Sequence, residues 1–185
     1  GNRTQPAPLW NSVVADVSDF IWNDSSWMAE RKKYDDRRQP VSIYETSLGQ
    51  WKSGKELVAF AKEKGYTHVE LHPVMEFLED GSDGYPTSAY FAVSTRYGTP
   101  AEFAALVDEL HQVGIGVILD WSPAQFPRYA GGLEKFDGTP LYEVKDPEMA
   151  VHPMWGTMLY NYDSPMVMDF LISNACFWLE VFHVD

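Results

Sequence analysis

Two rhythms of apolar residues alternate between positions 41 and 121. Val41-Ser-Ile-Tyr-Glu-Thr46 alternates and follows a proline, which predicts a first strand. Leu57, Phe60 and Ala61 recur at helical spacing. That helix opens at Ser53 with Glu56 three residues on, the pattern of a capping box, in which the hydroxyl takes an N–H of the first turn and the carboxylate returns to the cap. Gly65 closes it. His68-Val-Glu-Leu-His-Pro-Val74 reads as a second strand, and Pro73 marks its carboxyl end because proline cannot donate to a ladder. Thr99-Pro-Ala-Glu102 repeats the capping device, with Pro100 at the first helical position. Phe103, Leu106, Val107 and Leu110 form its stripe, and Gly114 ends the helix. Ile115–Trp121 is a near-continuous apolar run, as expected of a strand buried on both faces.

The flanks are less regular. Residues 12–17 predict a short strand, Trp22–Trp27 a polar-aromatic turn, and Glu30–Arg38 a solvated helix or linker with a domain boundary near residues 30–40. Ser164-Pro165 starts a last helix with Val167, Leu171, Trp178 and Phe182 on one face. Periodicity is weak between Pro127 and Asp163, and a connection of that length inside a compact domain is usually functional.

A strand–helix–strand–helix–strand order fits either an eight-stranded parallel barrel or a doubly wound sheet. No G-x-G-x-x-G follows the first strand, which disfavours the dinucleotide-binding version. Long insertions after the second and third strands favour the barrel, whose chemistry sits at the carboxyl ends of its strands. At 185 residues the chain is expected to hold one domain, with a piece of another. Its net charge of −13 argues against nucleic acid or an anionic membrane surface as partner. No apolar run approaches the roughly 20 residues of a membrane span. The single cysteine, Cys176, excludes an internal disulfide and fits a reducing compartment, so a cytoplasmic location is expected.

Near the strand ends the first strand offers Glu45, the second His72 and Glu76, and the third Asp120 and Gln125. The loop after the second strand adds Asp80, Asp83 and Tyr85. Glycosidic chemistry needs two carboxyl groups flanking one bond, and spacing alone singles out no such pair. A buried Asp120 reads more readily as holding a neighbouring arginine than as attacking a substrate. No second His or Cys stands at ligand spacing from His72, so a hydrogen-bonded wall residue is the better reading. His111 and His152 give no metal signal either. Glu76 and the loop acids are expected to be solvated. No phosphate cradle, nucleophile elbow or Cys–His pair is evident.

Several segments in fixed order resemble the 1,4-α-glucan (glycogen) branching enzymes of the α-amylase superfamily. They are Pro40-Val-Ser-Ile-Tyr-Glu-Thr-Ser-Leu-Gly-Gln-Trp51, Thr67-His-Val-Glu-Leu-His-Pro-Val-Met-Glu76, Tyr90-Phe-Ala with Arg96-Tyr-Gly-Thr-Pro100, and Asp120-Trp-Ser-Pro-Ala-Gln-Phe126. Phe136–Glu143, His152-Pro-Met-Trp-Gly-Thr157 and Tyr160-Asn-Tyr162 look like the insertion that sets branching enzymes apart from amylases, and Asn174–Asp185 like the run before a fourth strand.

The resemblance implies an α/β fold, a partial TIM (β/α)8 barrel with strands 1–3, the start of strand 4 and long loops after strands 2 and 3. It implies that residues 1–30 are the tail of a preceding glucan-binding β-sandwich and the start of a linker, 31–40 the linker, and 41–185 the first half of the barrel. The family's nucleophile Asp, acid Glu and transition-state-stabilising Asp would all lie beyond Asp185, and Asp185 is not itself the nucleophile. The chain alone would then be inactive, with no catalytic residue of its own. The implied substrate-binding residues are Tyr85, which lines the −1 sugar subsite, Asp120, which holds the framework of the site, and Gln125, which stands where the family has a sugar-binding His. Asp83 and Pro86 replace the family's Trp and Gln, and Phe77 stands where a His is usual. No metal or cofactor is implied, and the partner is an α-glucan such as glycogen, amylose or starch. A degenerate glucan-binding scaffold and a sibling hydrolase are the rival readings.

Overall fold

A computed structural model describes residues 14–33 and 38–185. It divides into two compact units, one formed by residues 14–74, 96–120 and 178–185 and the other by residues 75–95 and 121–177.

The first unit is built on a parallel sheet. Strands β1 (Ile43–Thr46), β2 (His68–Leu71) and β5 (Gly116–Leu119) lie in the order β1-β2-β5 and are parallel throughout. Helix α2 (Gly54–Lys64) joins β1 to β2. Helix α3 (Pro100–Gln112) leads into β5. Consecutive parallel strands joined by helices are shared by the opening of a barrel and by one half of a doubly wound sheet, so strand order alone leaves both architectures open. Val69, Leu71 and Val117 are buried, as are Leu57 and Ala61 of α2 and Phe103, Val107 and Leu110 of α3. On the alternate positions Ile43, His68, Glu70 and Ile118 remain partly open.

The caps behave as the side-chain chemistry dictates, with one difference. At Thr99 both halves of the capping box form. Gly98 permits this, because a Cβ there would lie 2.6 Å from the Glu102 carboxylate and its φ is +106°. At Ser53 the hydroxyl accepts the Glu56 N–H, but the Glu56 carboxylate reaches past the cap to the Lys52 N–H at 3.1 Å. The box expected there is therefore half formed. Gly65 closes α2 in the left-handed region at φ 74°.

Ser25–Glu30, expected as part of a turn and a linker, forms helix α1 and runs into a 3-10 turn at Arg31–Lys33. Residues 14–17 of the short strand expected over 12–17 are irregular, and Ser12 and Val13 lie outside the described residues.

The second unit departs most from expectation. The stretch after β2 is an antiparallel hairpin, β3 (Met75–Phe77) with β4 (Thr87–Val93), whose register shifts on both sides of Glu76. Gln125–Phe126 (β6) pairs with Met158–Leu159 (β7). Tyr90, Phe126, Ala150, Met158, Tyr160, Val167 and Leu171 form its core. The predicted face of helix α4 (Pro165–Val181), made of Val167, Leu171 and Trp178, is buried, as is Phe182 just beyond its end.

Candidate functional site

In the parallel unit the carboxyl ends of the strands carry Glu45, His72 and Asp120. His72 Nε2 lies 3.0 Å from Glu45 Oε1, so these two side chains meet across the ends of β1 and β2. Asp120 follows β5 directly and is half-buried, and its N–H donates to Leu71 O at 2.9 Å, carrying the ladder one residue past the strand.

Tyr85 and Gln125 belong to the other unit. Tyr85 is half-buried in the turn entering β4, where its N–H meets Asp83 Oδ1 at 3.4 Å and its carbonyl takes the Thr87 N–H at 2.8 Å. Gln125 is more firmly held. Its backbone pairs with Leu159, its carbonyl accepts the Tyr90 hydroxyl at 2.8 Å, and its side-chain Oε1 accepts the Thr157 hydroxyl. The Gln125 amide nitrogen has no partner among the described residues, which leaves two N–H donors for a ligand hydroxyl. Burial pushes the Tyr90 and Tyr160 phenols well up, so both stay protonated.

The structure corrects the expectation that Glu76 is solvated. It is buried, and its two oxygens accept from Phe77 N at 3.2 Å, Ser94 Oγ at 3.1 Å, Thr95 N at 3.0 Å and Thr95 Oγ1 at 3.2 Å. One carboxylate thus organises the return of the β3–β4 hairpin. Asn174 does similar work on α4, accepting from Trp121 Nε1 at 2.9 Å and donating to Tyr90 O at 2.7 Å.

Sequence reasoning also missed a relay in the parallel unit. His111, with its side chain fully buried, places Nδ1 2.9 Å from Asp24 Oδ2 and Nε2 2.9 Å from Asp185 Oδ2. Each ring nitrogen thus faces a carboxylate oxygen, one from either end of the described chain. His183 Nδ1 joins Asp24 at 2.8 Å. Asp185 also takes Val117 N at 2.9 Å, Trp27 Nε1 at 2.9 Å and Arg31 at 3.0 Å, while its own N–H donates to Val117 O at 2.9 Å. Burial alone would raise both carboxyls. The hydrogen bonds from His111 and His183 outweigh it at Asp24, and those from His111, Val117 and Trp27 hold Asp185 at about 2. Asp185 is thereby committed to structure, and its backbone adds to the β5 edge of the sheet. The one signal in the sequence was a histidine in the last turn of a helix, where a cation is favoured.

Among the described residues no group of three or more His, Cys, Asp or Glu could hold a metal ion, and no helix is long and apolar enough to cross a membrane.

The profile of the alpha amylase catalytic domain matches residues 22–124. The chain belongs to the alpha-amylase catalytic-domain family. It is 48% identical over 190 residues to the 1,4-alpha-glucan branching enzyme GlgB of Frankia casuarinae, covering 99% of this chain and 23% of that one. It is 47% identical over 189 residues to the GlgB of Thermobifida fusca, covering 98% and 25%. The chain thus spans about a quarter of the length of these curated relatives. A Salmonella typhimurium protein assigned as an alpha amylase superposes with a TM-score of 0.75 at 25% identity, over 93% of this chain and 28% of that one. An Anoxybacillus alpha-amylase gives 0.66 at 18%, over 78% and 39%, and shows the fold alone. The parallel sheet and its two crossover helices are therefore the opening part of a (β/α)8 barrel.

Proposed function

We infer that this chain is part of a 1,4-α-glucan branching enzyme, which cleaves an α-1,4-glucan and transfers the cut end to a 6-hydroxyl. The observation that carries this is the reach of the likeness. The amylase-domain match ends at residue 124, whereas identity to the branching enzymes of Frankia and Thermobifida runs through residues 127–163 and covers 98–99% of the chain.

The chemistry is a double displacement with retention. A carboxylate attacks the anomeric carbon, and the C–O bond to the leaving 4-oxygen breaks as a carboxylic acid protonates it. The same acid, now a base, takes the proton of an incoming 6-hydroxyl as that oxygen displaces the carboxylate. These acids are proposed to lie beyond Asp185. The present residues bind and orient. Tyr85 offers a flat phenol to a sugar ring, Asp120 an acceptor for hydroxyls or for a neighbouring cation, and Gln125 its two amide N–H donors. Glycogen, amylose or starch is the proposed substrate, and the cytoplasm the proposed location. Residues 1–30 are proposed to lead out of a glucan-binding module.

The test is to incubate the full-length protein with amylose and count α-1,6 linkages and reducing ends. Branching adds α-1,6 linkages while reducing ends stay constant. Rising reducing ends without branches would make the protein a hydrolase. Gln125, Asp83 and Pro86 favour a second reading, a glucan-binding scaffold, for which neither count would change while glucan is still bound.

A further inference from the structure

The loop His152-Pro-Met-Trp-Gly-Thr157 carries a large aromatic ring that the fold leaves open. Trp155 is 62% exposed, although tryptophan is on average a well-buried residue. Its indole lies flat on the His152 imidazole, with centroids 4.1 Å apart and planes 11° from parallel. His152 is fixed in turn. Its Nδ1 accepts the backbone N–H groups of Met154 and Trp155, each at 3.3 Å, so its ring proton sits on Nε2. The loop is closed by His152 N–H to Thr157 O at 2.8 Å and Gly156 N–H to His152 O at 2.9 Å. Trp155 is thus held in place before any ligand arrives, and little further ordering would oppose binding.

What the ring faces chemically follows from the next residue but one. The Thr157 hydroxyl donates to Gln125 Oε1, which ties this loop to the side chain whose free amide donors suit a sugar hydroxyl. A glucose ring offers an apolar C–H face that covers an indole while its hydroxyls reach neighbouring polar groups. A neutral sugar also suits a chain of net charge −13, which would repel an anionic ligand.

We propose that Trp155, supported by His152, is a docking platform for a glucose ring of the α-glucan chain, further along that chain from the sugar held by Gln125. This rests on the branching reading above for its choice of ligand. The platform contributes affinity and not chemistry, so its signature lies in binding.

The experiment uses the full-length protein with maltoheptaose and amylose as probes. Trp155→Ala is expected to weaken maltoheptaose binding about tenfold and raise KM for amylose by a similar factor, with kcat within about twofold. Trp155→Phe, which keeps a flat ring, is expected to recover most of the affinity. In wild type, the 15N-labelled indole of Trp155 should shift on titration with maltoheptaose. Unchanged affinity in Trp155→Ala, or an indole signal that ignores the sugar because other parts of the longer chain cover it, would overturn the proposal. If Trp155→Ala does not fold, the wild-type titration and Trp155→Phe decide. A wild type that binds maltoheptaose but makes no branches would sink the branching reading alone, and the binding arms would still decide this one. A wild type that binds no maltoheptaose overturns both.

Discussion

The two units of this molecule are held together by different means. In the parallel unit, order comes from apolar stripes and helix caps. Val69, Leu71 and Val117 on the strands and Leu57, Phe103 and Leu110 on the helices are buried, and Ser53 and Thr99 start the helices. In the other unit the strands are two to seven residues long, and single buried polar groups fix the chain where no repeating pattern does. Glu76 gathers the hairpin, Asn174 ties α4 to Trp121 and Tyr90, and Glu143 takes the Lys135 N–H at 2.9 Å. A scaffold that recurs across a family can rest on non-directional burial. A segment without a repeating apolar pattern needs directional bonds to hold irregular backbone, because every buried N–H and C=O must find a partner.

This contrast can be broken in several places. The largest effect is expected from Leu71→Ala, which opens a cavity in the fully buried sheet core and should cost about 3 kcal/mol in denaturant unfolding. A cost below about 1 kcal/mol would mean that burial is not what holds the parallel unit. Glu76→Gln places an amide N–H2 against donors and should cost about 2 kcal/mol, with faster hydrogen exchange at the Phe77 and Thr95 amides. Unchanged exchange would remove the polar anchor from the account of the hairpin.

Acid sharpens the contrast from the other side, because the parallel unit also contains buried polar groups, the His111 relay among them. Asp185 is held at about 2 against an ordinary 3.8, and Asp24 is lowered as well. A depressed carboxyl stabilises the fold above its unfolded pKa, and that contribution fades as pH falls through the folded value. About 2 kcal/mol from Asp185 should therefore be present at pH 5 and disappear between roughly pH 4 and pH 2. Asp185→Asn should flatten that part of the pH–stability curve, and an unchanged curve would count against the relay. The smallest effect is Thr99→Ala, which removes a cap and should cost about 1 kcal/mol.

The same division explains what could be read in advance. The three parallel strands and their two helices were legible because apolar period and cap residues are local signals. Their ends ran long at Val41-Ser42 and at His72–Val74, since a ladder stops where its partner does and a single segment does not show its partner. The β3–β4 hairpin was illegible because the partners that make a buried Glu76 tolerable lie 18 and 19 residues away. His111 failed for the same reason, with its carboxylates 87 and 74 residues distant. Tyr85, Asp120 and Gln125 came from likeness between motifs. Nothing in local spacing separates them from Asp80 or Glu45.

The most direct test of the account is a structure of the full-length protein with maltoheptaose bound. The account predicts glucose residues in contact with Tyr85, Asp120 and Gln125, the last through its amide nitrogen. A sugar chain bound elsewhere and touching none of the three would contradict it.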